Sequence, residues 1–335
     1  MTAASLLEVT DLRTTFHTPR GDVTAVDGVS LTLRAGETLG VVGESGSGKS
    51  VLGRSLMGLI GQGPTTTISG RVTLAGHDVH ALPARERRRL WGPTVAMVFQ
   101  DPMTSLNPVK KIGTHLVEAL RLHLRLDRKA ARERSVDLLR QVGIPEPARR
   151  LDQYPHELSG GMRQRVVIAM ALACDPKLLI ADEPTTALDV TVQKQILDLL
   201  ARLARERQMA IILVSHDLGA VAGRTDRVAV MYAGRVVETS RTLEVFTRPI
   251  HPYSEALLAS IPRLDAAPHT RLRTIEGRPP DLVSPPPGCR FAPRCTRAED
   301  VCRTEAPRLR GPRPAAPRHT AACHLPPAAT AHEED

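Results

Sequence analysis

One stretch of eight residues constrains this chain more than any other. The pattern G-x-x-x-x-G-K-S/T is matched by Gly43-Glu44-Ser45-Gly46-Ser47-Gly48-Lys49-Ser50. An apolar run at residues 39–42 precedes it and a helical pattern follows from Val51, which is the strand–loop–helix context that a phosphate-binding loop requires. Backbone N–H groups of such a loop cradle anions at a helix N-terminus. We expect Lys49 to reach nucleotide phosphates and the Ser50 hydroxyl to bind Mg²⁺.

A second candidate element is a short apolar run that ends in two carboxylates. It reads Leu178-Leu179-Ile180-Ala181-Asp182-Glu183 and is typical of a buried strand. Acidic residues also end strands that simply face solvent. With a phosphate loop in the same chain, the catalytic interpretation is favoured: Asp182 supports the Mg²⁺ shell and Glu183 polarises the attacking water.

A third element places serine and glycine at the start of a predicted helix. Leu158-Ser159-Gly160-Gly161-Met162 precedes apolar residues at helical spacing. Ser159 and the two glycines form a second potential anion site built from backbone N–H groups. The alternative is an ordinary capped helix, but that leaves a second phosphate site in one chain unexplained.

Two further polar residues follow predicted strands. Gln100 ends the strand pattern of residues 95–99, and His216 ends that of residues 211–215. In open α/β sheets, ligand sites gather at the carboxyl ends of strands. A single histidine there is more often structural, but three strand ends carrying polar groups together indicate a site.

The order of these motifs resembles that of ABC-transporter nucleotide-binding subunits over residues 5–245. The resemblance implies that the Ser-Gly-Gly loop of one subunit closes on ATP held by another, with Ser159 and Gly161 at the partner's γ-phosphate. It also implies that Asp189 lies at the dimer seam, that Glu183 is the general base, and that His216 senses the γ-phosphate. Phe16 is placed like the aromatic residue that stacks on adenine, although it could equally be a strand core residue. Mg²⁺ would be held by Ser50 and Gln100. The implied ATP contacts are Gly43, Glu44, Ser45, Gly46, Ser47, Gly48, Lys49, Ser50, Val51, Phe16, Gln100, Asp182, Ser159, Gly161 and Asp189.

A narrower resemblance is to the dipeptide and oligopeptide importer branch, in its D-type ATPase subunit. It is carried by Phe99-Gln100-Asp101-Pro102-Met103-Thr104-Ser105-Leu106-Asn107-Pro108, by Gly161-Met162-Arg163-Gln164-Arg165 and by His251-Pro252-Tyr253. This resemblance implies an ATPase that powers peptide uptake and pairs with an F-type sister subunit. Two membrane-spanning permease subunits and an extracytoplasmic peptide-binding protein complete the implied assembly. The alternatives are an importer of another solute, such as nickel, and a soluble ABC ATPase that acts on nucleic acid or ribosomes.

The predicted fold class is α/β, with a P-loop NTPase core of the ABC type. We expect a mostly parallel sheet with an antiparallel β edge. A helical subdomain at about 101–172 is expected inside an ABC domain of residues 1–245. Residues 246–335 are expected to form a small cysteine-rich extension with a disordered tail from about residue 326.

Four of the five cysteines lie in that extension. Cys289, Cys295, Cys302 and Cys323 follow a C-x5-C-x6-C-x20-C spacing, which in a cytosolic chain points to metal rather than to disulfides. Four thiolates suit a 4Fe–4S cluster or zinc, and metal-free thiols are a third reading. The segment around Cys289 and Cys295 resembles the C-terminus of peptide-importer ATPases, some of which hold such a cluster. His319 and His324 could replace a thiolate in a zinc site, and Cys174 is expected to be a buried apolar residue.

Composition adds little that is specific. The chain has 335 residues and a net charge of +9. Its densest basic run is Arg85-Glu86-Arg87-Arg88-Arg89, which we interpret as a solvated helix face because the aromatic residues needed for base stacking are scarce. No nucleic-acid partner is expected. No apolar run is long enough for a membrane helix, so the chain is expected at the cytoplasmic face of the membrane as a peripheral subunit.

Overall fold

The computed structural model describes residues 5–101, 105–186, 188–261, 274–311 and 319–325. The chain divides into two compact units. The first comprises Met1–Leu7, Leu33–Thr38 and Leu74–Val214, and the second comprises Glu8–Thr32, Leu39–Thr73 and Ser215–Asp335. The predicted disordered tail lies outside the described residues.

The regular elements alternate between strand and helix along most of the chain. In chain order the strands are β1 (Ser5–Thr18), β2 (Gly21–Arg34), β3 (Thr38–Val42), β4 (Thr66–Leu74), β5 (His77–Asp78), β6 (Val95–Val98), β7 (Leu178–Asp182), β8 (Ala210–Ser215), β9 (Arg227–Tyr232), β10 (Arg235–Arg241) and β11 (Thr320–Ala321). The helices are α1 (Lys49–Leu56), α2 (Ala84–Leu90), α3 (Ile112–Leu124), α4 (Arg128–Gln141), α5 (Pro147–Arg150), α6 (Gly160–Ala171), α7 (Val190–Arg207), α8 (Leu218–Val221), α9 (Thr242–Thr247), α10 (Pro252–Ala259) and α11 (Asp300–Thr304).

The sheet of the first unit is parallel and fully buried. Strand β7 lies between β6 and β8, with Val98 opposite Ala181 and Asp182 opposite Val214. Every residue of these three strands is buried, which explains why their sequences are continuous apolar runs rather than alternating ones. Because parallel strands end at the same edge, the residues that follow β6 and β7 share that edge of the sheet.

Between β6 and β7 the described regular structure is helical. Helices α3, α4 and α6 pack against one another through buried apolar side chains, among them Leu116, Leu120, Leu138, Leu139 and Val166. The proposed boundaries of a separate subdomain at about 101–172 stay a prediction. The basic run of Arg85 to Arg89 lies on α2, where only Leu90 is buried, so it forms a solvated helix face.

The second unit carries the antiparallel strands. A two-residue connection joins the neighbouring strands β1 and β2, and only antiparallel neighbours can be joined so tightly. Strands β9 and β10 form a hairpin whose turn residues, Ala233 and Gly234, have φ of 47° and 86°, as a tight hairpin turn requires. Strand β3 runs parallel to β9, and β11 pairs with the outer side of β10.

No helix among the described residues is long and apolar enough to cross a bilayer.

Candidate nucleotide-binding site

The phosphate loop, residues 43–50, leads from β3 into α1 in the second unit. Gly48 is the N-cap of α1 and has φ of 97°, a left-handed conformation that favours glycine. A Cβ at Gly48 would overlap the backbone oxygen of Ala25, and a Cβ at Gly43 would overlap that of Met231. The loop therefore lies so close to neighbouring backbone that side chains are excluded at both positions.

Lys49 folds back across this loop. Its side chain is buried, and Nζ donates hydrogen bonds to the carbonyl oxygens of Gly43 at 2.8 Å and Glu44 at 2.9 Å. Ser45 and Gly46 are exposed at the tip, whereas Ser47 is buried. The ammonium thus lies within the ring of backbone that would surround a phosphate, where it supplies the positive charge such an anion needs.

Residues from the C-terminal extension hold the loop from outside. The Glu44 N–H donates to the Tyr253 hydroxyl at 2.8 Å. The Glu44 carboxylate accepts two hydrogen bonds from the Arg294 guanidinium, at 2.7 and 3.0 Å. Both ends of Glu44, backbone and side chain, are therefore fixed by groups more than 200 residues away in the sequence.

In the first unit, Asp182 ends β7 and Glu183 follows it. Asp182 is fully buried. Glu183 has φ of 46°, a conformation that non-glycine residues adopt rarely and that is concentrated at functional sites. Its Oε2 accepts hydrogen bonds from Gln100 Nε2 at 3.2 Å and Thr186 Oγ1 at 3.1 Å. The carboxylate is thus aimed by its neighbours rather than left to rotate in solvent.

The N-termini of α6 and α7 lie side by side in the first unit. Ser159 caps α6 by accepting from the Met162 N–H, and Asp189 caps α7 by accepting from the Val192 N–H. A Cβ at Gly161 would come within 2.7 Å of Val192 Cγ1, so the two helix starts pack closely. Ser159 and Asp189 are nevertheless exposed, which leaves both caps open to a ligand or a partner.

Two predicted residues lie in the second unit with the phosphate loop. His216 directly follows β8 and is exposed, and Phe16 is half-buried on β1. Half-burial leaves part of the Phe16 ring accessible, which suits stacking better than a core role. The functional roles of both residues stay predictions.

The four C-terminal cysteines line one small cavity in the second unit. Cys289, Cys295, Cys302 and Cys323 share it with apolar groups such as Phe291, and all are free thiols. Burial raises the pKa of Cys289, Cys295 and Cys323, and neighbouring thiols raise it further. These three side chains are therefore neutral thiols rather than thiolates.

The four thiols as they lie do not form a ready-made metal site. Among the residues that the structure describes, no group of three or more His, Cys, Asp or Glu side chains could hold a metal ion as placed. His319 is directed elsewhere, since its Nε2 lies 2.7 Å from the buried Glu238 carboxylate. His324 lines the cavity, but its Nε2 bonds to the Glu305 carbonyl oxygen at 2.9 Å. Cys174 is buried, as expected for an apolar role.

Comparison with known proteins matches both parts of the chain. A family model described as ABC transporter matches residues 26–186, and one described as oligopeptide/dipeptide transporter, C-terminal region, matches residues 237–302. The oligopeptide transport ATP-binding protein OppD of Salmonella typhimurium is 55% identical over 302 residues, covering 90% of this chain and 89% of the relative. The dipeptide transport ATP-binding protein DppD of Bacillus subtilis is 51% identical over 297 residues, covering 89% of this chain and 88% of the relative.

The chain belongs to the ATP-binding subunits of oligopeptide and dipeptide ABC transporters. The predicted family and the predicted ATPase activity are therefore confirmed. The fold class is confirmed as well: a dimeric ATP-binding cassette solved with ADP and phosphate has a TM-score of 0.63 and 27% identity, covering 70% of this chain and 98% of its own.

Sequence reasoning missed several contacts of this peptide-transporter ATPase. Arg294 and Tyr253 hold the phosphate loop, and Thr186 holds the Glu183 carboxylate. Thr186 could have been suspected because it lies three residues after Glu183, but neither periodicity nor spacing relates Arg294 to Glu44.

Proposed function

We propose that this chain hydrolyses ATP to power the uptake of dipeptides or oligopeptides. The observation that carries the proposal is the match of residues 237–302 to the C-terminal region of oligopeptide/dipeptide transporters. That region lies beyond residues 26–186, which match the ABC transporter model. Import of nickel or another solute, and action on nucleic acid or ribosomes, are the competing functions.

The roles of the site residues follow from their chemistry. Lys49 and the loop N–H groups neutralise the phosphates of ATP, while Ser47 and Gly48 shape the loop. The carboxylate of Asp182, the Ser50 hydroxyl and the Gln100 amide offer the hard oxygen donors that Mg²⁺ prefers. Mg²⁺, when bound, offsets charge on the phosphates.

Glu183 acts as the general base of the hydrolysis. Its carboxylate is held by Gln100 and Thr186, which orients one oxygen lone pair for the proton of an attacking water. His216 contacts the γ-phosphate in this proposal, and the Phe16 ring stacks on adenine.

A second ATPase subunit completes the site. Ser159 and Asp189 cap neighbouring helices and are exposed, and the apolar Val190 beside them is 82% exposed. Two exposed helix caps side by side suit a surface that a partner covers. We propose an F-type sister as that partner, with two permease subunits and an extracytoplasmic binding protein, and the cytoplasmic face of the membrane as its location.

Reconstitution tests this function directly. The chain, purified from its native membrane with whatever subunits remain bound, is placed in proteoliposomes, and uptake of a labelled dipeptide, a labelled pentapeptide and ⁶³Ni²⁺ is measured. We expect ATP-dependent uptake of at least one peptide and co-purification of a second ATPase and two membrane proteins. Uptake of nickel alone, or co-purification with RNA in place of membrane proteins, would refute the proposal.

We further propose that the four C-terminal cysteines bind a 4Fe–4S cluster through Cys289, Cys295, Cys302 and Cys323. The shared cavity supports it, because four sulfurs around one space are the ligand set such a cluster takes. When bound, the cluster would convert the neutral thiols to thiolate ligands and cross-link a segment with little regular structure.

The cluster proposal predicts a brown protein after anaerobic purification, with about four iron atoms per chain. Visible absorbance and elemental analysis measure this. Cys295→Ser should lose colour and iron, while Cys174→Ala, which changes a thiol outside the cavity, should keep both. One zinc per chain, or no metal after anaerobic purification, would contradict the cluster.

A further inference from the structure

The segment between two of the cavity cysteines contacts the phosphate loop directly at one point and reaches it through a hairpin turn at a second. This cysteine segment, residues 289–295, begins with Cys289 and ends with Cys295, and neither of its two arginines lines the cavity. Arg294 pairs with Glu44 in the loop, and Arg290 reaches the backbone beside it. The first contact is an ion pair to a loop side chain, and the second is a hydrogen bond to the backbone of a neighbouring turn.

The Arg294 contact is a partly buried bidentate ion pair. The Arg294 side chain is 4% exposed and that of Glu44 is 27% exposed. The remaining guanidinium donors are used too: Nε donates to the Glu276 carbonyl oxygen at 2.8 Å, and one terminal nitrogen donates to that of Ile275 at 3.1 Å. The hydrogen bonds to Glu44 hold the pKa of Arg294 above its ordinary value. A bidentate pair of this kind fixes the orientation of the two side chains as well as the distance between them.

The Arg290 contact fixes the turn that the loop packs against. Arg290 donates to the Ala233 carbonyl oxygen and to Asp27 Oδ2. The next residue in the turn, Gly234, donates its N–H to the Ser47 carbonyl oxygen at 2.9 Å. Arg290 therefore holds the hairpin turn whose backbone is bonded to the phosphate loop.

Asp27 anchors this second contact. It is buried and accepts from Arg13, Arg235 and Arg290. Burial alone would raise its pKa, but the hydrogen bond from Arg235 and the charges of the three arginines hold the pKa below its usual range. Asp27 stays ionised, so Arg290 has a permanent partner.

Tyr253 adds a third tie to Glu44. Its hydroxyl accepts the Glu44 N–H, and its ring packs against those of Tyr232 and Phe291. Phe291 belongs to the cysteine segment and lines the cysteine cavity. The Glu44 backbone and the cavity wall are thus joined through one aromatic cluster.

We propose that the cysteine segment is a clamp on the phosphate loop. In this clamp, Arg294 is a positioning residue for Mg·ATP binding and transmits changes at the four thiols to Glu44. The inference rests on the proposed role of the phosphate loop and adds to it a control point that lies outside the nucleotide pocket.

The clamp is tested by a double-mutant cycle on the full chain. Arg294→Gln, Glu44→Gln and the double variant are compared for Mg·ATP affinity with a fluorescent nucleotide. Each single variant should weaken binding about tenfold, within the range usual for coupled sites, and the double variant should be no weaker than the singles. In the assembled transporter, Arg294→Gln should raise KM for ATP more than it lowers kcat.

A matched control is Arg132→Gln. Arg132 forms a two-point pair with Asp152 in the first unit, at 3.3 and 2.8 Å, with both side chains about half exposed. This variant should bind Mg·ATP like the wild type. If Arg294→Gln fails to fold, two other variants test the same ion pair. Arg294→Lys keeps the positive charge but cannot form two parallel hydrogen bonds to Glu44, and Glu44→Gln removes the charge on the loop side of the pair.

Transmission from the thiols is tested by a second cycle. Cys295→Ser should weaken Mg·ATP binding in the wild-type background and have no added effect in the Arg294→Gln background, whereas Cys174→Ala should have no effect in either. Additive effects of Cys295→Ser and Arg294→Gln, or wild-type affinity in Arg294→Gln, would overturn the clamp. A wild-type chain that binds no Mg·ATP would instead refute the nucleotide site itself.

Discussion

Replacing Glu183 with glutamine should lower ATP turnover by the assembled transporter at least about a hundredfold, the lower end of what general-base catalysis contributes. Glutamine keeps the shape of the side chain and can still bond to Gln100 and Thr186, but it cannot take a proton from water. Binding of Mg·ATP should therefore stay close to that of the wild type. Phosphate release measures turnover, and a fluorescent nucleotide measures binding.

The same variant should hold the two ATPase subunits together in ATP. In the proposed function the two subunits close through contacts to the γ-phosphate, so a subunit that binds but does not cleave ATP should remain associated with its partner. Light scattering or cross-linking detects this. Glu206→Gln is the matched control, because Glu206 pairs with Arg202 on the surface of α7. Wild-type turnover in Glu183→Gln would remove Glu183 from the mechanism.

The backbone conformation of Glu183 gives this prediction a structural reason. A φ of 46° is unfavourable for a residue with a side chain, and the following Pro184 limits the alternatives. Strain at a strand end is tolerated where it aims a functional group. The sequence shows that an acidic pair ends β7, but not which carboxylate is turned outward or that Thr186 holds it.

Much of the core could be predicted because local patterns decide it. The runs at residues 95–98, 178–182 and 210–215 are continuous and apolar, and each is a buried parallel strand. The face of α7 with Ile196, Leu199, Leu200 and Leu203 is buried as its spacing predicts. The hairpin at Ala233-Gly234 is indicated by the glycine, since a tight hairpin turn requires positive φ at its central residues.

The C-terminal extension could not be predicted in the same way. Its residues have few periodic patterns, so side-chain pairs between distant segments determine its structure. Glu238 is an example: its buried carboxylate accepts the N–H groups of Ile250 and His251, each at 2.9 Å, and lies 2.7 Å from His319 Nε2. From the sequence, His319 was a candidate zinc ligand because of its distance from Cys323. Its burial against a carboxylate on β10 was not visible.

Replacing Lys49 with alanine should weaken Mg·ATP binding about a hundredfold, or ~3 kcal/mol, which is typical of truncating a buried charge that pairs with an opposite charge. Nζ donates to the Gly43 and Glu44 carbonyl oxygens. A bound phosphate offers an ionised acceptor in place of neutral carbonyls, and hydrogen bonds to charged groups are the stronger ones. The ammonium should therefore turn toward the nucleotide, and alanine removes that gain. Peptide uptake by the assembled transporter should fall to background.

Lys110→Ala is the matched control, because Lys110 pairs with Glu118 at the surface and its loss should leave affinity and uptake unchanged. Since Lys49 also closes the loop on itself through two carbonyls, thermal unfolding without nucleotide separates the two effects. A variant that is as stable as the wild type yet binds Mg·ATP poorly locates the loss in the phosphate contact, whereas wild-type uptake in Lys49→Ala would show that this loop does not serve the transport cycle.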